Sequence, residues 1–221
     1  MWTWLLEALL PRRCALCRAL SAGEPFCPPC ARTIHPSDGD ASHGAVLAGF
    51  AYTGAARAAI LAAKFDPDQT RAEALIAHWA RVYHEKPSLR KAFGAVDAVC
   101  FVPVHWRRRV SRGFDLSSLV ARAVAGCLNA PVLDALVCRR FDPSLSKTAS
   151  RDERIKMTTG RYGLRIPAHA IASKRLLLVD DVVTTGSTLG AAAVPLQQAR
   201  AQVLAFALAA TPLNNQNQAR S

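Results

Sequence analysis

The stretch Leu176-Leu177-Leu178-Val179-Asp180-Asp181-Val182-Val183-Thr184-Thr185-Gly186-Ser187-Thr188 joins an apolar run, two adjacent acids and four hydroxyl residues around one glycine. The apolar run, Leu176–Val179, predicts a short buried strand. Such a strand delivers Asp180 and Asp181 to its carboxyl end, where open α/β sheets bind ligands. The hydroxyl cluster then opens a helix. Gly186 lets the backbone approach a ligand, successive N–H groups form a nest, and Thr184, Thr185, Ser187 and Thr188 donate. That combination is suited to a phosphate group. Asp180 and Asp181 cannot serve the phosphate directly, because like charges repel; they suit ribose hydroxyls or the waters of a bound Mg2+. An ordinary N-capped helix would not require four hydroxyl residues about a glycine.

A second chemical cluster lies near the amino terminus. Cys14-x2-Cys17 and Cys27-x2-Cys30 are separated by nine residues. Each pair can present two thiolates to one ion, and two such knuckles complete a tetrahedral four-cysteine Zn2+ site. With four protein ligands no coordination position stays open, so the role is structural. A stretch this short buries too little to fold alone, so the ion would supply its folding energy. A redox pair would sit at a strand-to-helix turn, and two disulfides would need an oxidising compartment. Cys100, Cys127 and Cys138 are isolated and read as core thiols.

The third signal is charge. The 221 residues carry 28 Lys/Arg against 16 Asp/Glu, a net of +12. Residues 100–165 alone hold thirteen against five, a net of +8. A block of that kind is an electrostatic footprint for polyanions such as nucleic acid, nucleotides or pyrophosphate. A solvated face of an arginine-rich chain gives the same count. Arg107, Arg108, Arg109 and Arg112 concentrate it, with Trp106 and Phe114 among them. These two aromatic residues either stack on bases or anchor a helix and cap the core. Zinc binding by four thiolates subtracts four charges and returns two, which takes the net from +12 to +10.

The elements that must position these groups read as alternating strands and helices. Val46–Tyr52, Val96–Val102 and Val203–Ala210 are further strand runs, and Pro103 closes the second. Ala72, Leu75, Ile76, Trp79 and Tyr83 recur at helical spacing after a loop at Asp66-Pro67-Asp68, as do Leu116, Leu119, Val120, Val124 and Cys127. The alternation implies βαβ units and a parallel sheet covered on both faces. The chain divides into a zinc module at 1–35, a small polar linker at 36–45, an α/β domain at 46–212 and a disordered tail at 213–221. Half the residues (51%) are hydrophobic, which excludes wholesale disorder. No apolar run reaches the roughly 18–20 residues of a membrane span. Trp2–Leu10 is too short for one, carries Glu7, and lacks a small-residue cleavage site. The expected location is the cytoplasm.

The stretch 176–188 resembles the PRPP-binding motif of type I phosphoribosyltransferases. Taken with the cysteine pairs, Tyr52-x-Gly54, Lys64-Phe65 and the segment Val102-Pro103-Val104-His105-Trp106-Arg107-Arg108-Arg109-Val110-Ser111-Arg112-Gly113-Phe114, it resembles the ComF (ComFC) family of late-competence proteins. The resemblance implies a type I phosphoribosyltransferase-like parallel sheet flanked by helices, preceded by a small zinc-ribbon-like module. It further implies a role in DNA uptake during natural transformation, with single-stranded DNA, phosphoribosyl pyrophosphate (PRPP) and competence-machinery proteins as partners. An active Mg2+-dependent phosphoribosyltransferase of nucleotide salvage and a PRPP-sensing regulator are the alternatives.

In the catalytic case the resemblance implies loss of pyrophosphate through an oxocarbenium-like ribose. Thr184–Thr188 would then hold the 5′-phosphate, Asp180 and Asp181 the ribose diol, and Arg107 and Arg112 would face pyrophosphate. The chain departs from the family pattern at Phe141-Asp142-Pro143-Ser144-Leu145-Ser146 and at Arg154-x-x-Met157. Pro195 falls inside the helix that follows the phosphate loop and is expected to kink or end it. Ala199-Arg200-Ala201 stands where a glycine C-cap is expected.

Overall fold

The computed structural model describes residues 13–21, 23–37, 46–65, 69–107, 110, 113–139 and 160–212. Five parallel strands form the central sheet: β1 (Val46–Ala51), β2 (Ala98–Phe101), β3 (Val132–Leu133), β6 (Arg175–Val183) and β7 (Gln202–Ala210). Their order is β1-β7-β6-β2-β3, and every pairing is parallel. A two-stranded antiparallel pair, β4 (Leu136–Cys138) with β5 (Tyr162–Leu164), stands beside it. From the junction of β2 and β6 the chain winds outward in opposite directions, β2 to β3 on one side and β6 to β7 on the other. The carboxyl ends of β2 and β6 therefore flank a topological switch point.

Both faces of the sheet are covered, so the central runs of its strands, such as Leu176–Val179, are apolar on both sides rather than alternating. On β6, Leu177 and Val179 face one cluster while Leu176 and Leu178 face the other. The first cluster contains α2 (Gly54–Phe65), α3 (Thr70–Glu85) and α5 (Leu116–Leu128). The second contains α6 (Ser187–Gln198) and the β4–β5 pair. The buried face of α3 is Ala72, Leu75, Ile76, Trp79 and Tyr83, the residues that periodicity selects. Two further helices are short: α1 (Pro28–Ala31) and α4 (Pro87–Phe93).

Helix α6 does not end at Pro195 but continues through that residue to Gln198. The missing N–H and the ring act on the preceding turn, at the Ala191 carbonyl, and the helix ends within one turn after Pro195. The C-cap is made without glycine. Arg200 takes the left-handed conformation (φ 63°), and the N–H groups of Arg200 and Ala201 donate to the carbonyls of Gln197 and Leu196.

The cysteine segment is not a loose appendage. Cys14, Ala15, Phe26, Cys27 and Ile34 belong to the first core cluster. Arg71 donates to the Ala15 carbonyl at 3.1 Å, and the Ala55 N–H donates to Thr33 Oγ1 at 3.1 Å. Pro36 bridges antiparallel to Phe50 of β1. Trp2–Leu10, Asp66-Pro67-Asp68, most of the linker, Phe141–Ser146, Arg154, Met157 and the tail from 213 onward lie outside the described residues.

One close approach in the core carries a prediction. A Cβ on Gly49 of β1 would lie 2.5 Å from Trp79 Cδ1 and 2.9 Å from the Leu208 carbonyl oxygen. Trp79 is fully buried and cannot retreat. Gly49→Ala should cost roughly 1–3 kcal/mol through overpacking, lowering the melting temperature by about 3–10 °C. Gly126→Ala, on α5 with open space around it, should leave the melt unchanged or raise it slightly. Thermal melts of the two variants side by side check the pair, and an unchanged melt for Gly49→Ala would contradict this packing.

Candidate functional site

Asp180 and Asp181 sit near the end of β6 and border a cavity of about 280 Å³. The loop after β2 (Val102–His105), Lys64 of α2, Ser117 of α5 and Thr188 of α6 complete much of its wall. The cavity lies at the switch point between β2 and β6, where the sheet topology leaves a crevice.

The two acids have different surroundings. Asp180 is buried; its Oδ1 accepts from Ser117 Oγ at 2.9 Å and from the Asp181 N–H at 2.9 Å. Burial and the neighbouring Asp181 push its carboxyl up to about 7, against the pull of Lys64 and these hydrogen bonds. Asp181 is paired instead, with Lys64 Nζ 2.8 Å from its Oδ2. Burial alone would lower the Lys64 pKa, but the Asp181 carboxylate outweighs it and the ammonium is held in its charged form.

Asp115 ties the loop to the helix. As N-cap of α5 it accepts from the N–H groups of Ser117 and Ser118 at 3.1 and 3.4 Å. Its other oxygen accepts from the Val104 N–H at 3.1 Å. Asp115 therefore fixes the β2 loop and the start of α5 together, and Ser117 carries that order across to Asp180. Sequence reasoning missed both residues. The available signal was Asp115-Leu116-Ser117-Ser118, a capping sequence directly before an apolar helical pattern.

The phosphate-type loop closes the far side. Asp180, Val182–Thr188 and Leu189 line a second, smaller hollow next to the cavity. Gly186 adopts φ 75° and is the N-cap of α6, and Thr185 Oγ1 and Ser187 Oγ are 3.0 Å apart. All of Thr184, Thr185, Gly186, Ser187 and Thr188 thus meet at one helix start beside Asp180.

The basic block is only partly visible. Arg108, Arg109 and Arg112 lie outside the described residues. Arg107 is exposed, and its guanidinium carbon lies 5.4 Å from the centroid of Trp106, which is 61% exposed. His105 is buried, and its Nδ1 accepts from the Arg107 N–H at 3.3 Å. Phe114 is buried in the first core cluster and is not available to a base. The two aromatic residues of that segment therefore part: Phe114 is an anchor, while Trp106 faces solvent.

Cys14, Cys17, Cys27 and Cys30 bring their sulfurs within 4.8 Å of one another, and all four are free thiols. A tetrahedral ion about 2.3 Å from each sulfur sets them about 3.8 Å apart, so this donor set could hold a metal ion. Burial opposes ionisation of Cys14, but backbone N–H groups of Cys17 and Cys27 bring it down to about 6. Burial pushes Cys30 up to about 12. Among the described residues no helix is long and apolar enough to cross a membrane.

No family model matches the chain. It is 29% identical over 93 residues to Competence protein F of Haemophilus influenzae, a match covering 42% of this chain and 41% of that protein. It is 38% identical over 100 residues to adenine phosphoribosyltransferase of Mycobacterium avium, covering 44% of this chain and 51% of that protein. The chain thus matches about half the length of these curated relatives or less. A structure of adenine phosphoribosyltransferase from Saccharomyces cerevisiae aligns over 87% of this chain and 92% of its own, at 15% identity and a TM-score of 0.40. The chain thus has a parallel sheet with flanking helices and four clustered cysteines, and it is similar in part to Competence protein F and in part to adenine phosphoribosyltransferase.

Proposed function

We infer that the cavity at the β2–β6 junction binds a phosphoribosyl pyrophosphate-type ligand, and that the protein serves DNA uptake in natural competence. The observation that carries this reading is the meeting of Asp180, Asp181 and the 184–188 loop at one switch-point crevice. Thr184, Thr185, Gly186, Ser187 and Thr188 would hold the 5′-phosphate with backbone N–H groups and hydroxyls. Asp180 and Asp181 would take the ribose hydroxyls. Because Asp181 is already paired with Lys64, the acids fit Mg2+ through its waters rather than as direct ligands. Bound Mg2+ would neutralise pyrophosphate charge. The four cysteines fit Zn2+ in a structural role.

The likeness to Competence protein F supports the place of this chemistry in competence. Its likeness to adenine phosphoribosyltransferase supports transfer of the phosphoribosyl group to a base as the enzymatic form of the same reading. Single-stranded DNA would meet the protein at Trp106 and Arg107, with Arg108, Arg109 and Arg112 extending the contact. The exposed indole beside a guanidinium favours this, since base stacking plus a cation is how strands are held without sequence preference.

Titrating PRPP with Mg2+ and a single-stranded oligonucleotide in competition tests both parts. The oligonucleotide should bind with a steep salt slope and should not be displaced by PRPP. Trp106→Ala should weaken it roughly 5- to 100-fold, the loss of one stacked base, and leave PRPP binding intact. Failure to bind DNA at low salt sinks the nucleic-acid part, and failure to bind PRPP sinks the other.

A further inference from the structure

We propose that Arg161 is the oxyanion-binding residue of the cavity and selects a ligand group with paired anionic oxygens. Arg161 directly precedes β5 and lines the cavity together with Tyr162, His105, Lys64 and Asp180. Its guanidinium carbon lies 5.7 Å from the Tyr162 ring centroid. Its Nε is buried and has no hydrogen-bond partner among the described residues.

A buried guanidinium N–H without an acceptor is costly, and structures normally supply one. Here Asp181 and one oxygen of Asp180 on the cavity wall have other partners. Asp181 is held by Lys64, and Asp180 Oδ1 by Ser117 and the Asp181 N–H. No ion pair to Arg161 occurs among the described residues, and Arg161 is one of the residues that line the cavity a ligand can fill. Guanidinium is planar and matches two oxygens at once, which favours carboxylate or phosphate over a neutral carbonyl. The Tyr162 ring beside it adds a flat apolar surface. The shared chemistry is an oxyanion, and its source is either the pyrophosphate of the phosphoribosyl ligand or a carboxylate on a planar acceptor.

This inference deepens the phosphoribosyl reading and rests on it for the class of ligand. The probes are inorganic pyrophosphate with Mg2+, and benzoate compared with benzamide. They are titrated into the full chain as wild type, Arg161→Met and Arg161→Lys. Arg161→Met keeps an unbranched apolar stem but removes the guanidinium with its charge and donors; it should weaken the responsive oxyanion roughly 10- to 100-fold, the range for hydrogen bonds to charged groups. Arg161→Lys should recover part of that loss. A response to pyrophosphate alone assigns Arg161 to the leaving group. Benzoate bound over benzamide by wild type, with that preference lost in Arg161→Met, assigns it to an acidic acceptor.

Equal affinities in wild type and Arg161→Met, with unchanged circular dichroism, would overturn the proposal, as would a wild type that binds neither oxyanion. If Arg161→Met does not fold, Arg161→Lys decides alone: unchanged affinity overturns the proposal and weakened affinity supports it. A PRPP titration of Asp180→Asn plus Asp181→Asn separates the two ideas. If that variant binds PRPP like wild type while Arg161→Met loses pyrophosphate, the phosphoribosyl reading falls and the oxyanion site stands. If the double variant loses PRPP and the Arg161 variants bind every probe normally, the reading stands and this inference falls.

Discussion

Treating the full chain with a strong zinc chelator is expected to lower its melting temperature by about 10 °C or more. Elemental analysis before treatment should find close to one metal ion per chain. The reason lies in where the cysteine segment is packed. Phe26 and Ile34 are buried against the same cluster as Phe50, Leu75 and Ile76, and each such side chain contributes roughly 1.5–3 kcal/mol by burial. Without an ion, four adjacent sulfurs lose the centre that fixes their turns, and the contacts at Ala15, Thr33 and Pro36 alone are left to hold a short, loop-rich stretch. Undocking would take Phe26 and Ile34 out of the core together, a loss on the order of 5 kcal/mol. For a chain of this size each kcal/mol moves the melt by about 2–4 °C. Cys14→Ser and Cys27→Ser should reproduce the drop without chelator. A metal-free chain that melts like the untreated protein would refute the metal module.

The sequence made some of this legible because the information is local. The apolar run of β6, the acids that follow it and the hydroxyl-rich turn are consecutive, so residues 176–188 announce their own geometry. The two CxxC pairs do the same at short range. Other parts had no local signal. Helix α2 buries Ala55, Ala56, Ala59, Ile60 and Ala63, mostly alanines too small to stand out as an apolar stripe. Strands β3, β4 and β5 are two or three residues long, below any readable alternation. Arg161 reaches the site only through tertiary packing, and the cap sequence around Ser117 marks a helix start without showing its reach to Asp180. Trp106 and Phe114 look alike as sequence. Their separation into solvent and core is decided by which face of the loop meets the first cluster.

Asp180→Asn should stabilise the protein at pH 8 while impairing its ligand site. The Asp180 carboxyl, raised by burial and by Asp181, titrates at about 7 in the folded chain against about 4 when unfolded. Between those values the native state holds the extra proton. The stability contributed by this group is therefore full below pH 4 and is lost as pH rises through 7. At pH 8 wild type buries a carboxylate that asparagine does not. The asparagine carbonyl can still accept from Ser117 Oγ and the Asp181 N–H, and the Lys64–Asp181 pair is untouched. The expected gain at pH 8 is roughly 1–2 kcal/mol, about 2–8 °C in the melt, and it should vanish near pH 4. A variant less stable than wild type at pH 8 would contradict this electrostatic picture. A carboxylate kept buried at such cost marks Asp180 as a functional-site candidate.

The most direct measurement of that use is calorimetric titration of PRPP with Mg2+ into wild type and Asp180→Asn at pH 8. Binding by wild type, weakened at least about tenfold in the more stable variant, is the result expected if Asp180 receives the ribose hydroxyls. Equal PRPP affinity in the two proteins, or no binding by wild type, would contradict the assignment of this cavity to a phosphoribosyl ligand.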